Sequence, residues 1–144
     1  MQGKLIELQN KIGYQFQNEE LLQLALMHSS YTNENRYPKY KCNERSEFLG
    51  DAVLELVSSE FLFDADEKMP EGELTKLRAS TVCEESLSEV ANKINLGEYM
   101  LLGKGEEATG GRERISIYSW CTPYAIFWQL TWGKGCYSNL KPRL

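Results

Sequence analysis

Apolar side chains recur every three to four positions along the first hundred residues, and this spacing imposes a helical body with one apolar face per segment. Leu5, Ile6, Leu8 and Ile12 form the first such segment, and Gly13 ends it. Asn18 is placed to cap a second helix, with Glu19 and Glu20 in the first turn, where the helix dipole favours acids. Leu21, Leu22, Leu24, Ala25 and Leu26 then give that helix a wide apolar face. Residues 32–42 are polar, contain Pro38 and read as a loop. Asn43 is expected to cap a third helix running to about Phe63, followed by a charged connection, Asp64–Lys68. Pro70 suits the first residue of the next helix. Leu74, Leu77, Val82, Leu87, Val90, Ala91 and Ile94 continue the helical period, with a break expected near 81–84. Residues 103–114 are glycine-rich and charged and read as a loop. No alternating strand pattern and no internal repeat stands out, so the expectation is an all-α body.

Length and composition bound the classes that remain. At 144 residues, with 42% hydrophobic and 26% charged residues, the chain matches one globular domain rather than a disordered tail. No apolar run approaches the roughly 18 residues that span a bilayer, and no apolar stretch follows Met1 as a secretory leader would. Cys42, Cys83, Cys121 and Cys136 have no metal-ligand spacing. The expectations are a cytoplasmic location and no membrane partner. Charge is split: residues 1–117 hold 13 Lys/Arg and all 21 Asp/Glu, a net of −8, whereas 118–144 hold three Lys/Arg and no acid, a net of +3. An acidic body argues against passive, charge-driven nucleic-acid binding. It leaves room for a cation-dependent enzyme, because a bound metal reverses the local sign. After Ile117 the apolar period is lost. Trp120, Trp128 and Trp132 all fall there, with Pro123, Gly133, Gly135 and Pro142 as interruptions.

The segment Asn43-Glu44-Arg45-Ser46-Glu47-Phe48-Leu49-Gly50-Asp51-Ala52-Val53-Leu54-Glu55 carries the chemistry. At helical spacing Glu44, Glu47, Asp51 and Glu55 share an arc of about 80°. Four carboxylates on one stripe repel one another. One reading is a solvated acidic face. The other is a divalent-cation site, since hard oxygen ligands suit Mg²⁺, which takes one or two carboxylates with waters and substrate phosphate oxygens. Gly50 and Asp51 favour the second, because both are poor helix-interior residues and such breaches gather at functional sites. The corresponding reaction is phosphodiester hydrolysis.

The residues 44–53, ERSEFLGDAV, resemble the signature of the ribonuclease III family, usually ERLEFLGDAV. Leu24-Ala25-Leu26-Met27-His28-Ser29-Ser30-Tyr31 is similar to the family's LALTHxSY segment, and residues 70–79 to its EGELTKLRA segment. Leu96-Gly97-Glu98-Tyr99 through Glu107, then Gly110-Gly111-Arg112-Glu113-Arg114, is similar to its LGEYLLLGKGE…GGRER stretch. Roughly residues 5–117 are covered, in family order. The resemblance implies the all-helical endonuclease domain of ribonuclease III over residues 1–117, pairing as a homodimer through the signature helix. It implies endonucleolytic hydrolysis of double-stranded RNA, such as rRNA precursors, with Mg²⁺ or alternatively Mn²⁺. Asp51 corresponds to the catalytic residue, Glu47 and Asp51 to metal ligands, and Glu44 and Glu71 to further acids lining the cleavage valley. The phosphates and 2′-hydroxyls of duplex RNA can be read by shape, without base sequence.

Three departures qualify that expectation. Ser46 replaces an apolar residue of the signature. The family's usual double-stranded-RNA-binding domain is not found after the helical body. The family's SILADAFEA continuation, which supplies two more acids, is lost: counting from Ser116 and Ile117, those positions hold Trp120 and Pro123. Residues 118–144 therefore read as an aberrant tail, as from a change of reading frame, with the C-terminal helices lost or altered and cleavage weakened. The competing reading is a non-catalytic dimerising subunit that binds double-stranded RNA or a partner. His28 reads as structural rather than as a general base, Cys83 as a helix-boundary residue, and the tryptophans carry no pattern. The glycines of 103–111 lack a GK[ST] phosphate-loop pattern.

Overall fold

A computed structural model of the chain describes residues 2–114. The expectations for the tail, including those for Trp120 and Pro123, lie outside the described residues. Among the described residues seven α-helices follow one another: α1 Gln2–Ile12, α2 Glu19–Ala25, α3 Ser29–Glu34, α4 Glu44–Ala65, α5 Glu71–Thr81, α6 Glu84–Lys93 and α7 Lys104–Ala108. Single 3₁₀ turns lie at Leu96–Tyr99 and Gly111–Glu113. Among the described residues the only extended pairing is an isolated parallel bridge between Met27 and Leu101. The all-α expectation holds.

Local chemistry accounts for most of the helix ends. Gly13 leaves α1 at φ 72°, a left-handed conformation that glycine adopts without a Cβ clash. Asn18 caps α2 by accepting from the Glu20 amide at 3.0 Å. Cys83 stands at the boundary before α6. Pro70 sits one position earlier than the sequence suggests, at the cap rather than as the first helical residue of α5. The helix α4 ends at Ala65, and its connection to α5 is closed by Asp66, whose carboxylate accepts from the Lys68 amide at 2.9 Å.

Two segments read as loops are partly helical. Residues 32–34 belong to α3, which starts at Ser29 because His28 Nδ1 accepts from the Ser30 amide at 3.2 Å. Residues 104–108 form α7 and 111–113 a 3₁₀ turn. These short pieces are held by contacts made over a distance. Ser30 Oγ accepts from the Gly103 amide at 2.9 Å, Arg112 reaches the Gly97 and Met100 carbonyls, and Arg114 pairs with Glu106 at 3.0 Å.

The main core joins α1, α2 and the end of α6 to the segment at 96–102, with Leu8, Leu22, Leu26, Leu96 and Met100 all but inaccessible. Each such side chain is worth about 1.5–3 kcal/mol relative to exposure. A much smaller cluster, Leu54 and Leu87 with Val82 against them, joins α4 to α6. The far half of the α4–α5 hairpin buries little: Phe61 is 72% and Phe63 71% exposed, and α5 has no buried residue.

The first helix is clipped to the core by a polar triad. Tyr99 donates its hydroxyl proton to Glu7 at 2.7 Å, Lys11 pairs with Glu7 at 3.4 Å, and the Lys11 ammonium lies 5.1 Å from the Tyr99 ring centre. The Tyr99 hydrogen bond, then Lys11, holds the Glu7 carboxyl below its ordinary pKa. A depressed carboxyl stabilises the fold fully above the unfolded value, about 4.3 for Glu, and loses that contribution as pH falls through the folded value. Thermal melts of the unaltered chain and Glu7→Gln should therefore differ at neutral pH and converge in acid.

Glycine substitution gives a second check. A Cβ at Gly103 would meet the Ser30 carbonyl oxygen and Glu34 Oε2, both at 2.8 Å, whereas one at Gly105 meets nothing within 4 Å. Denaturant unfolding should show Gly103→Ala destabilised by about 1–3 kcal/mol. Gly105→Ala, inside α7, should be neutral or stabilised by up to about 1 kcal/mol.

Candidate functional site

Everything the sequence singles out depends on where α4 starts. Asn43 holds that start but does not cap it with its side chain: its backbone is already in the αR region. It is fully buried, and its amide donates to Met27 O at 2.9 Å while Nδ2 donates to Ala25 O at 3.3 Å. The side chain that would have capped α4 instead ties it to α2. The Asn43 carbonyl takes up the Glu47 amide at 2.8 Å, so the first turn is fixed where the acid stripe begins.

The buried side of α4 is formed by Gly50, Leu54 and Ser58. The four carboxylates border it. Glu47 and Glu55 are half-buried, and Glu44 and Asp51 are exposed. Gly50 is buried, so its place mid-helix coincides with a site where a side chain would occupy covered space. Ser46 is half-buried and lines a cavity, so its hydroxyl is not sealed in the core.

The stripe is not uniform. Glu55 Oε2 pairs with Arg78 Nε of α5 at 3.0 Å, and Arg78 also donates to Ser59 Oγ at 2.9 Å. Ser59 in turn donates to the Glu55 carbonyl at 2.6 Å. The sequence does not show this linkage, because Glu55 and Arg78 lie far apart along the chain on different helices and no local pattern joins them.

The Arg78–Glu55 contact also marks the register of the hairpin. From Arg78 back to Glu71 is seven residues, about 10 Å of helix, running toward the C-terminal end of α4. From Glu55 back to Asp51 is about 6 Å in the opposite direction. Within one chain Glu71 thus stands well away from Glu47 and Asp51. Its Oε1 accepts from Thr75 Oγ1 at 2.9 Å. Among the described residues, no three His, Cys, Asp or Glu side chains gather closely enough to hold a metal ion. Glu47 and Asp51 stand one turn apart on α4, with Glu44 on their N-terminal side.

Two hard, anionic oxygen donors one turn apart fit the protein's share of a Mg²⁺ site, which fills its remaining positions with water and phosphate oxygens. His28 is occupied elsewhere. With Nδ1 accepting from the Ser30 amide, the Ser30 hydroxyl 2.8 Å away must donate to the same nitrogen, so the residue is an N-cap. Cys42 and Cys83 are free thiols. Burial raises the Cys42 pKa, and hydrogen bonds from Ser86 lower that of Cys83.

A cavity of about 770 Å³ opens between α2, the segment before α4 and α4 itself, lined among others by Tyr31, Tyr37, Tyr40, Leu21, Leu24 and Leu49. Arg45, Ser46 and Leu49 are the α4 residues that line it, so it lies on a different face from Glu47 and Asp51. Leu56, on the same side of α4, is 49% exposed, and Phe48, between that side and the acid stripe, is 83% exposed.

Comparison with known proteins agrees with this architecture. The family model for Ribonuclease-III-like domains matches residues 18–127. Ribonuclease 3 of Geobacillus kaustophilus is 59% identical over 115 residues, covering 80% of this chain and 47% of the relative. Ribonuclease 3 of Bacillus licheniformis is 58% identical over 111 residues, covering 77% and 45%. The chain therefore spans about half the length of the curated relatives it matches. Among solved structures, the nuclease domain of ribonuclease III from Campylobacter jejuni superposes with a TM-score of 0.76 at 42% identity, covering 87% of this chain and 82% of that one. That structure is described for flexibility in a region involved in its dimer formation. With the motifs, the helical order and the relatives in agreement, the chain belongs to the ribonuclease III family.

Proposed function

We propose that this chain is the nuclease part of a ribonuclease III, hydrolysing phosphodiester bonds of double-stranded RNA such as rRNA precursors in the cytoplasm. The observation that carries this reading is the Glu47–Asp51 pair, displayed on a helix whose start is fixed by a buried asparagine. Residues 1–117 form the nuclease domain in this reading, and 118–144 a separate tail. Among the described residues no helix is long and apolar enough to cross a membrane.

Glu47 and Asp51 would hold Mg²⁺, or alternatively Mn²⁺, with Asp51 as the catalytic residue. The ion would supply a Lewis acid for the phosphate and a more acidic water. The protein's own part is to hold both carboxylates on one rigid turn, so that the ligand geometry exists before substrate arrives. Glu44 adds negative charge at the N-terminal side of the pair. Glu71, displaced along the hairpin, belongs to the wider acidic surface. Two copies joined through the outer side of α4, where Phe48, Leu49 and Leu56 are exposed, would bury that apolar surface and present two equivalent carboxylate pairs to two strands.

The acid-rich body repels the RNA backbone, and Trp120 and Pro123 stand where the family pattern has two more acids. The expected activity is therefore Mg²⁺-dependent cutting of a long RNA duplex, slower than that of an intact family member. Asp51→Asn should reduce it by about 100-fold or more, the loss typical of one preorganised electrostatic group. Binding of duplex without any Asp51-dependent cutting would establish the non-catalytic alternative. For the assembly, sedimentation at micromolar concentration should show a dimer, and Phe48→Ala should weaken association by about tenfold or more, as for a buried aromatic anchor. A strictly monomeric mass for the unaltered chain would overturn the paired arrangement.

A further inference from the structure

The acid stripe offers a cation two sites with the same spacing. Glu47 and Asp51 are four residues apart, and so are Asp51 and Glu55, each pair separated by about 6 Å along the axis. Nothing in the spacing favours one over the other, and Asp51 belongs to both. The tertiary structure breaks the tie: Glu55 is engaged by Arg78 at 3.0 Å, and Arg78 is itself held by Ser59 Oγ at 2.9 Å. We infer that Arg78 is a positioning residue that withdraws Glu55 from the stripe and thereby sets the divalent cation on Glu47 and Asp51 rather than one turn further along α4. This rests on the metal reading of the Glu47–Asp51 pair given above.

Both partners are partly exposed, with side-chain exposures of 40% for Arg78 and 43% for Glu55. An ion pair in that setting shifts an equilibrium by about two- to fivefold, not by orders of magnitude. That is enough to choose between two sites otherwise matched in charge and spacing. The Ser59 link adds direction. Its hydroxyl proton goes to the Glu55 carbonyl at 2.6 Å, which leaves its oxygen lone pair facing Arg78. The guanidinium is therefore held by α4 at two adjacent turns. An unpartnered Glu55 would instead be free to swing toward Asp51.

The test counts bound Mn²⁺ by electron paramagnetic resonance on the full chain, so it does not depend on cleavage. Glu47→Gln should bind Mn²⁺ about two- to fivefold more weakly than the unaltered chain, because the Asp51–Glu55 site that remains is handicapped only by the partly exposed Arg78 pair. Adding Arg78→Gln to Glu47→Gln should return binding to the level of the unaltered chain, because Asp51 and the released Glu55 then form a matched site. Adding Glu55→Gln to that double variant should remove it again. If Arg78→Gln loses its cooperative melt, Arg78→Met, which keeps the aliphatic stem, provides the same comparison. A Glu47→Gln/Arg78→Gln chain that binds no better than Glu47→Gln would overturn the inference while leaving the metal reading intact. Regained binding that persists after Glu55→Gln would also overturn it, since only the removal of a positive charge would then be at work. If Asp51→Asn leaves Mn²⁺ binding by the unaltered chain unchanged, the metal reading itself fails and this inference fails with it.

Discussion

Four consecutive residues, Ala25 to His28, hold the two halves of the molecule together through their backbones. On one side, Leu26 O accepts from the Leu101 amide at 2.9 Å and the His28 amide donates to Leu101 O at 3.1 Å. On the other, Met27 O and Ala25 O receive the amide and side chain of Asn43. The same short stretch thus fastens the segment after the 96–99 turn and Asn43, the residue immediately before α4. Because Leu26 and Asn43 are out of reach of water, breaking a bond made by either would leave a buried polar group unpaired, at about 1–3 kcal/mol. The position of the acid stripe relative to the core follows from this junction, not from apolar burial along α4, which hides only Gly50, Leu54 and Ser58.

That division of labour explains how a helix with four acids on one side can stand. The early part of α4 is held by buried hydrogen bonds, so its exposed side is free to carry charges that repel one another. Further along, the structure answers the repulsion directly by placing Arg78 against Glu55. Phe48 and Leu56 leave apolar surface exposed on α4, and a tyrosine-lined cavity opens beside Leu49.

Legibility differed from one element to the next. The α2 cap at Asn18, the turn at Gly13 and the break before α6 could be read locally, because each is settled by a side chain or a backbone angle within two or three residues. Asn43 looks the same in sequence as Asn18, yet it spends its side chain on Ala25, eighteen residues away. The helix α3 is not legible in the sequence because its cap is a histidine, and α7 is not because Gly103 and Gly105 suggest a loop. Gly103 is in fact a point of close approach to the Ser30 carbonyl, and Gly105 lies inside α7.

The sequence by itself determined the helical class, the placing of most helices, the shared arc of Glu44, Glu47, Asp51 and Glu55, and the family to which the chain belongs. These follow from periodicity and from ordered motifs, both properties of residues close together along the chain. Only the tertiary structure decided which carboxylates remain unclaimed and which do not. Arg78 reaches Glu55 because the hairpin folds back, and the same fold carries Glu71 away from Asp51. Such pairings depend on the register between helices, which buried contacts and long-range hydrogen bonds fix and which spacing along one helix does not encode.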